Sequence, residues 1–290
     1  MTMPADDRLA LLPSEADIAH YEEHGWWISP KLLSAEEIDE AWFGAERYYS
    51  GERDAVLPFE AGTDWTEQRG NILRQNDYVS LQIEQLWTLV HHPMIAATAA
   101  RLARTPSVRL FHDQLINKPP QVSHEVSTVG WHTDIAYWKT CSSREMISAW
   151  IPFQTVTADM GPMTVIDRSH RWHRNDRLEF FHEWDLDAIT ARIASDGAEL
   201  VPVRLLMELG QVSFHHCRTI HGSLPNSSDR PRAALALHMQ DATNRYVPTV
   251  DDHGNRQSHL NDFLCRTDES GNPDYTDPDV CPVLWEEPHE

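Results

Sequence analysis

Between Val108 and His238 the sequence is cut into short apolar runs separated by turn residues, and that texture limits the fold more than any other feature. The runs are Val108–Asn117, Ile147–Phe153, Met163–Ile166, Gln211–His215 and Arg232–His238. Several alternate with a period of two, as a strand with one buried face does; Arg232–His238 alternates only loosely. Many short strands with irregular connections predict an antiparallel double-sheet barrel or jelly roll. The first hundred residues read differently. Ser34-Ala35-Glu36-Glu37 is a capping-box pattern opening a helix through about Tyr49. Gly25–Ser29 is a short strand stopped by Pro30, and Gln82–Arg104 has helical periodicity that Pro93 divides in two. The expected architecture is mainly β with a helical layer. Residues 1–107 form mostly helical support, 108–240 the jelly-roll core, and 241–290 polar loops that end near Pro282–Trp285 and are a candidate lid. Asp185–Ser195 reads as a helical insertion. No internal repeat is present, and one domain over 1–290 is expected.

Charge excludes some function classes. A net charge of -21 argues against nucleic-acid binding and against anionic membranes, which both need basic surface. No apolar run approaches a membrane span, and Met1–Asp7 lacks the features of a signal peptide. The four cysteines, Cys141, Cys217, Cys265 and Cys281, show no paired zinc spacing. Reduced thiols in a cytoplasmic protein are expected, with a Cys265–Cys281 bridge left open.

The chemistry is concentrated in Gly130-Trp131-His132-Thr133-Asp134. On a strand, His132 and Asp134 share a face and could bind one metal side by side. A third ligand is offered by His221 in His221-Gly222-Ser223, with Arg232 eleven residues later. Two histidines and a carboxylate on one face of a metal leave open positions, which suits non-haem Fe(II) enzymes that activate oxygen. A lone His-x-Asp is weak in a chain with 17 His, and His20-Tyr21-Glu22 shows how cheaply a rival arises. The company around His132 and His221 carries the reading. His215 and His216, adjacent and therefore on opposite strand faces, read as mixed core and surface.

Several blocks in order resemble the phytanoyl-CoA dioxygenase family. They are Leu115-Ile116-Asn117-Lys118-Pro119-Pro120; Trp131–Asp134 with Tyr137-Trp138; Ala149-Trp150-Ile151-Pro152 through Gly161-Pro162-Met163 to Ser169-His170-Arg171; and His221-Gly222-Ser223 through Arg232. The resemblance runs from about 108 to 240, with a looser match before it. It implies a double-stranded β-helix carrying Fe(II)- and 2-oxoglutarate-dependent oxygenase activity, with O2 as co-substrate. By the same resemblance His132, Asp134 and His221 are the iron ligands. Arg232 pairs with the distal carboxylate of 2-oxoglutarate, a task suited to a planar guanidinium fork. Ser223, Trp150, Gln114 and Arg74 are implied around the co-substrate. Bland alternatives stand beside these: Arg230 as the carboxylate partner, Trp150 as core packing, Gln114 as partner of a buried backbone group, and Lys118 as a solvated loop residue.

The resemblance also implies hydroxylation of a small metabolite. Related halogenases replace the carboxylate ligand with a small residue, so Asp134 argues against halogenation; desaturation or ring closure would start from the same hydrogen abstraction. Trp131, Tyr137 and Trp138 flank the metal motif as a candidate substrate wall. No basic phosphate-binding cluster is present, which disfavours a CoA thioester. The rival readings are a cupin-type oxygenase or isomerase without 2-oxoglutarate, for which Arg232 would be dispensable, and a non-catalytic scaffold. The oligomeric state is not legible.

Overall fold

A computed structural model describes residues 6–59, 72–120, 128–173, 190 and 200–287. All but Thr190 of the expected Asp185–Ser195 helix lies outside them. The first third holds α1 (Glu15–His24), β1 (Trp26–Lys31), α2 (Ala35–Tyr49), β2 (Arg74–Asp77), α3 (Glu84–Val90) and α4 (Pro93–Leu102). The capping box is built as expected. The Ser34 hydroxyl accepts from the Glu37 amide, and the Glu37 carboxylate accepts from the Ser34 amide at 2.7 Å. Ser14 and Asp17 repeat the device at α1. Pro93 opens α4 as its first residue, where its missing N–H costs nothing.

The rest is strand: β3 (Ser107–Lys118), β4 (Val129–His132), β5 (Ile147–Pro152), β6 (Met163–Ile166), β7 (Pro202–Arg204), β8 (Gln211–His216), β9 (His221–Ser223) and β10 (Arg232–Asp241), followed by the short helix α5 (Asn261–Leu264) and β11 (Val283–Glu286). Among the described residues they form two antiparallel sheets. The larger runs β1-β8-β5-β10-β3-β11 with β2 also on β3, and the smaller runs β4-β9-β6-β7. This is the double-stranded β-helix, with the helical layer on the outer face of the larger sheet.

Register sorts the larger sheet into two faces. Leu115, Leu235, Ala149 and Phe214 pack with α2–α4 residues such as Ile38, Leu86 and Ile95 in the main core. The alternate residues, including Gln114, Trp150, Ala236 and Ser213, stand level across β3, β10, β5 and β8 and face the smaller sheet. This explains the loose alternation of Arg232–His238. Every residue of β10 is buried, so neither face needs to be polar.

The C-terminal segment departs from the expected run of loops. Besides α5 it supplies β11, which pairs with β3 at Val283–Arg109 and Glu286–Ser107. The four cysteines are free thiols, and Cys265 and Cys281 stand with their sulfurs 4.0 Å apart.

Candidate active site

His132 ends β4 and lies opposite His221 on β9 in register, with ring centroids 4.1 Å apart. Gly222 permits this approach, because a Cβ there would meet the Val129 carbonyl at 2.8 Å. Asp134 is not on the strand as expected; it opens a 3-10 turn, Asp134–Ala136. Thr133 between them remains extended (φ -121, ψ 143), so the two side chains still emerge on one side. One ligand atom from each of His132, Asp134 and His221 lies within 4.8 Å of the others, and all three residues are buried.

Their outer atoms are held. His132 Nδ1 donates to the Gly130 carbonyl at 2.8 Å and His221 Nδ1 to the Thr219 carbonyl at 3.0 Å. A carbonyl only accepts, so each ring carries its proton on Nδ1 and presents Nε2 as a lone pair. Asp134 Oδ2 accepts from the Ser148 hydroxyl at 2.5 Å and His215 Nε2 at 3.2 Å, while Oδ1 lies 3.5 Å from His221 Nε2. Burial alone would push the Asp134 carboxyl up; His221, His238 and His215 hold it well below the carboxylate range. Burial, then neighbouring His132, pushes His221 well below the imidazole range. An anionic carboxylate and two neutral imidazoles are the donor set a divalent iron needs, so the residues fit the metal.

A narrow inner pocket continues from the triad to Arg232. Arg232 is 3% exposed. It donates to the Gly161 carbonyl at 2.6 Å and lies 5.0 Å from the Trp150 ring centroid. Gly161 has φ +60, and a Cβ there would come within 2.4 Å of the Leu224 carbonyl; both conditions demand glycine. The Arg232 Nε has no partner, and no carboxylate pairs with the guanidinium among the described residues. Burial lowers its pKa to about 9. A buried cation with an open N–H is what a dianionic keto acid would satisfy, so the residues fit that group as well. Arg230 is exposed and beside Asp229, which removes it as the alternative.

Ser223 and Trp150 line the same pocket, and Gln114 lines both it and the outer cavity. Lys118 is no solvated loop residue. It is fully buried and donates to the Ser223 hydroxyl at 2.7 Å and the Leu224 carbonyl at 2.6 Å, while burial, then neighbouring Arg232, pushes its amine well below the usual lysine range. Arg74 is placed differently from the expectation. It is level with Asn117 on the helical face of the sheet, and its guanidinium lies 5.2 Å from the Tyr49 ring centroid. Gln75 and Asp77 of the same strand face inward instead, level with Ile116 and Gln114.

Outside the triad lies a cavity of about 320 Å³. Tyr137 and Trp138 line it, as expected of a substrate wall. Trp131 does not: it packs on the far side of the smaller sheet against Ile166 and Ile220, with its indole N–H on Thr190 Oγ1 at 3.1 Å.

The histidines behind Asp134 are what the sequence reading missed. His215 and His216 do face opposite ways, but both are buried. His216 reaches Glu145, and His215 supports Asp134. The Ser148 hydroxyl also meets His238 Nδ1 at 2.8 Å. Their only signal is register, since Ser148 stands level with both His215 and His238. Burial takes His238 down to about 3. A histidine buried neutral stabilises the fold above its unfolded pKa of about 6.5, and that contribution falls as the unfolded chain protonates below it. The metal-free protein should therefore lose about 2 kcal/mol from this one group between pH 7 and pH 5. Urea unfolding at the two pH values reads it: the loss should shrink by that amount in His238→Gln, and an unchanged loss would refute the assignment.

Fold and site together define the class: a double-stranded β-helix protein with a buried two-histidine, one-carboxylate triad. The chain belongs to the phytanoyl-CoA dioxygenase (PhyH) family of iron- and 2-oxoglutarate-dependent oxygenases, whose model matches residues 21–234. The peroxisomal phytanoyl-CoA dioxygenase of Bos taurus is 28% identical over 152 residues, 49% of this chain and 42% of that protein. The match thus spans less than half the length of that relative. Among solved structures, the non-heme alpha ketoglutarate dependent carbocyclase SnoK from nogalamycin biosynthesis is 24% identical with a TM-score of 0.65, covering 89% of this chain and 97% of its own. EctD from S. alaskensis, solved with 2-oxoglutarate and 5-hydroxyectoine, is 19% identical with a TM-score of 0.67, covering 100% of this chain and 92% of its own. At these identities the two structures bear on the fold alone. No described helix is long and apolar enough to cross a membrane.

Proposed function

We propose that the protein is an Fe(II)- and 2-oxoglutarate-dependent oxygenase that hydroxylates an unactivated C–H bond of a small metabolite, releasing succinate and CO2. The observation that carries this reading is Arg232, a buried guanidinium without a carboxylate partner among the described residues, lining the same pocket as the triad. A cupin-type enzyme without a keto acid would have no use for it, and burying it unpaired would be a standing cost.

When bound, iron with 2-oxoglutarate and O2 supplies oxidative decarboxylation and the power to break a C–H bond. The chain's own residues position and exclude. The Gly130 and Thr219 carbonyls set the tautomers of His132 and His221, so both Nε2 atoms are ready to ligate. Ser148 and His215 hold one oxygen of Asp134 and leave the other toward the metal position. Arg232 receives the distal carboxylate, with Trp150 against its face and Ser223 beside it. Lys118 fixes the Ser223 hydroxyl. Trp138 and Tyr137 wall the side from which substrate approaches and limit water there.

Anaerobic titration of the metal-free protein with Fe(II), then 2-oxoglutarate, tests the reading. A keto acid chelating the iron should produce a weak visible charge-transfer band. Iron binding without the band would overturn the 2-oxoglutarate assignment and favour the cupin-type alternative.

A further inference from the structure

The outer cavity combines a polar wall with the apolar side chains of Trp138, Leu260 and Phe263. It shares His132 and Asp134 with the triad, and its far wall carries Gln75, Asp77, His112 and Gln114 from β2 and β3, faced by His259 from the C-terminal segment. At the centre of that wall Asp77 uses one oxygen twice. Oδ1 accepts from His112 Nε2 at 3.0 Å and from Gln114 Nε2 at 2.7 Å. Oδ2 has no hydrogen bond among the described residues, and the side chain keeps 14% exposure on the cavity it lines. Burial, the largest single influence, opposes the charge, but His112, Gln114 and His259 together overcome it and hold the carboxyl below its ordinary range.

The described lining contains no lysine or arginine. The histidine that meets Asp77 is His112, and it does so at Oδ1; Oδ2 is left facing the cavity. A hydrocarbon seated there would bury a half-satisfied carboxylate. An alcohol would satisfy the hydrogen bond; a cation would satisfy the bond and the charge together. The chain's net charge of -21 also draws cations toward it. A cavity of about 320 Å³ is at the small end of ligand pockets, and its described lining offers no lysine or arginine to the phosphates of an acyl-CoA.

We infer that this cavity is a subsite for a small substrate carrying a protonated amine, received by Asp77 Oδ2 while the carbon to be oxidised faces His132 and Asp134. The inference deepens the proposed oxygenase function and rests on it for the fate of the bound molecule, though amine binding itself needs neither metal nor keto acid.

The test uses the full chain and matched probes: cyclohexylamine, cyclohexanol and cyclohexanecarboxylate. Affinities come from ligand-observed NMR titrations, with and without Zn(II) and 2-oxoglutarate. The amine should bind about tenfold or more tighter than the alcohol, and the carboxylate weakest. Asp77→Asn, which keeps both Oδ1 contacts, should weaken the amine roughly thirtyfold, as expected for losing one partner of a buried charge pair, and leave the alcohol nearly unchanged. The amine-to-alcohol ratio within each variant is unaffected by any unfolded fraction. Equal binding of amine and alcohol, a preference for the carboxylate, or an undiminished ratio in Asp77→Asn would overturn the inference. The charge-transfer band of the native protein separates the two claims. A band without amine preference removes the subsite and keeps the oxygenase; amine preference without a band does the reverse.

Discussion

His221→Ala is expected to lower 2-oxoglutarate-dependent succinate release by more than ~100-fold, beyond the 10- to 100-fold loss typical of removing a partner outside the ligand shell. The argument is geometric. His221 faces His132 across the β4–β9 register, and its Nδ1 is committed to the Thr219 carbonyl, so its Nε2 has no neighbouring substitute. His215 is the nearest rival, with ring centroids 4.5 Å apart, but its Nε2 is already spent on Asp134. The fold should survive, because burial, then neighbouring His132, already pushes His221 well below the imidazole range, so its removal deletes a neutral group. The measurements are iron stoichiometry, the charge-transfer band and succinate release on one preparation, with a thermal melt as the folding control. A variant that retained one tightly held iron and the band would sink the ligand assignment.

Arg232→Met should raise the dissociation constant of 2-oxoglutarate by about 30-fold to several thousand-fold, the range for removing one partner of a buried charge pair. Iron binding should be little changed, since Arg232 lies beyond the ligand shell. Arg232→Lys should restore little, because an ammonium cannot reproduce the planar fork. Stability supplies an independent check with the opposite sign. Without 2-oxoglutarate, Arg232 is a desolvated cation with an unpartnered Nε, so Met of similar length should leave the metal-free chain as stable or more stable. With 2-oxoglutarate, the native protein should gain stability by mass action and the variant should gain almost none. If the variant melted lower than native in the absence of 2-oxoglutarate, Arg232 would be a structural cation; if its affinity for 2-oxoglutarate were unchanged, the carboxylate would bind elsewhere.

Local patterns carried much of the reading. A capping box is a four-residue statement, and Ser34 with Glu37 makes both of its bonds. Pro93 splits two helices because proline is tolerated only in the first turn. His132 and His221 were legible because each sits in a short stretch resembling a known family. Asp134 was named for a partly wrong reason: the strand stops at His132, and only the extended Thr133 keeps the carboxylate on the metal side. Parity across strands was less legible. Arg74, implied near the co-substrate, lies on β2, where pairing turns it toward Tyr49 and turns Gln75 and Asp77 inward. Lys118 looked solvated beside two prolines until the distant Ser223 and Leu224 closed over it.

What the sequence determined by itself was much of the layout of helices and strands and the double-sheet class, because those rest on patterns within a few residues; the candidate metal and carboxylate residues were implied by the resemblance of short motifs. What only the tertiary structure decided was which of these face one another. His215, Ser148 and His238 come from three strands and become one support for Asp134 through cross-strand register, and Asp77 becomes a cavity wall because β2 pairs with β3 in one register and no other. A one-residue slip in any of those pairings would reverse the faces, and nothing within a single strand records its neighbour's alignment.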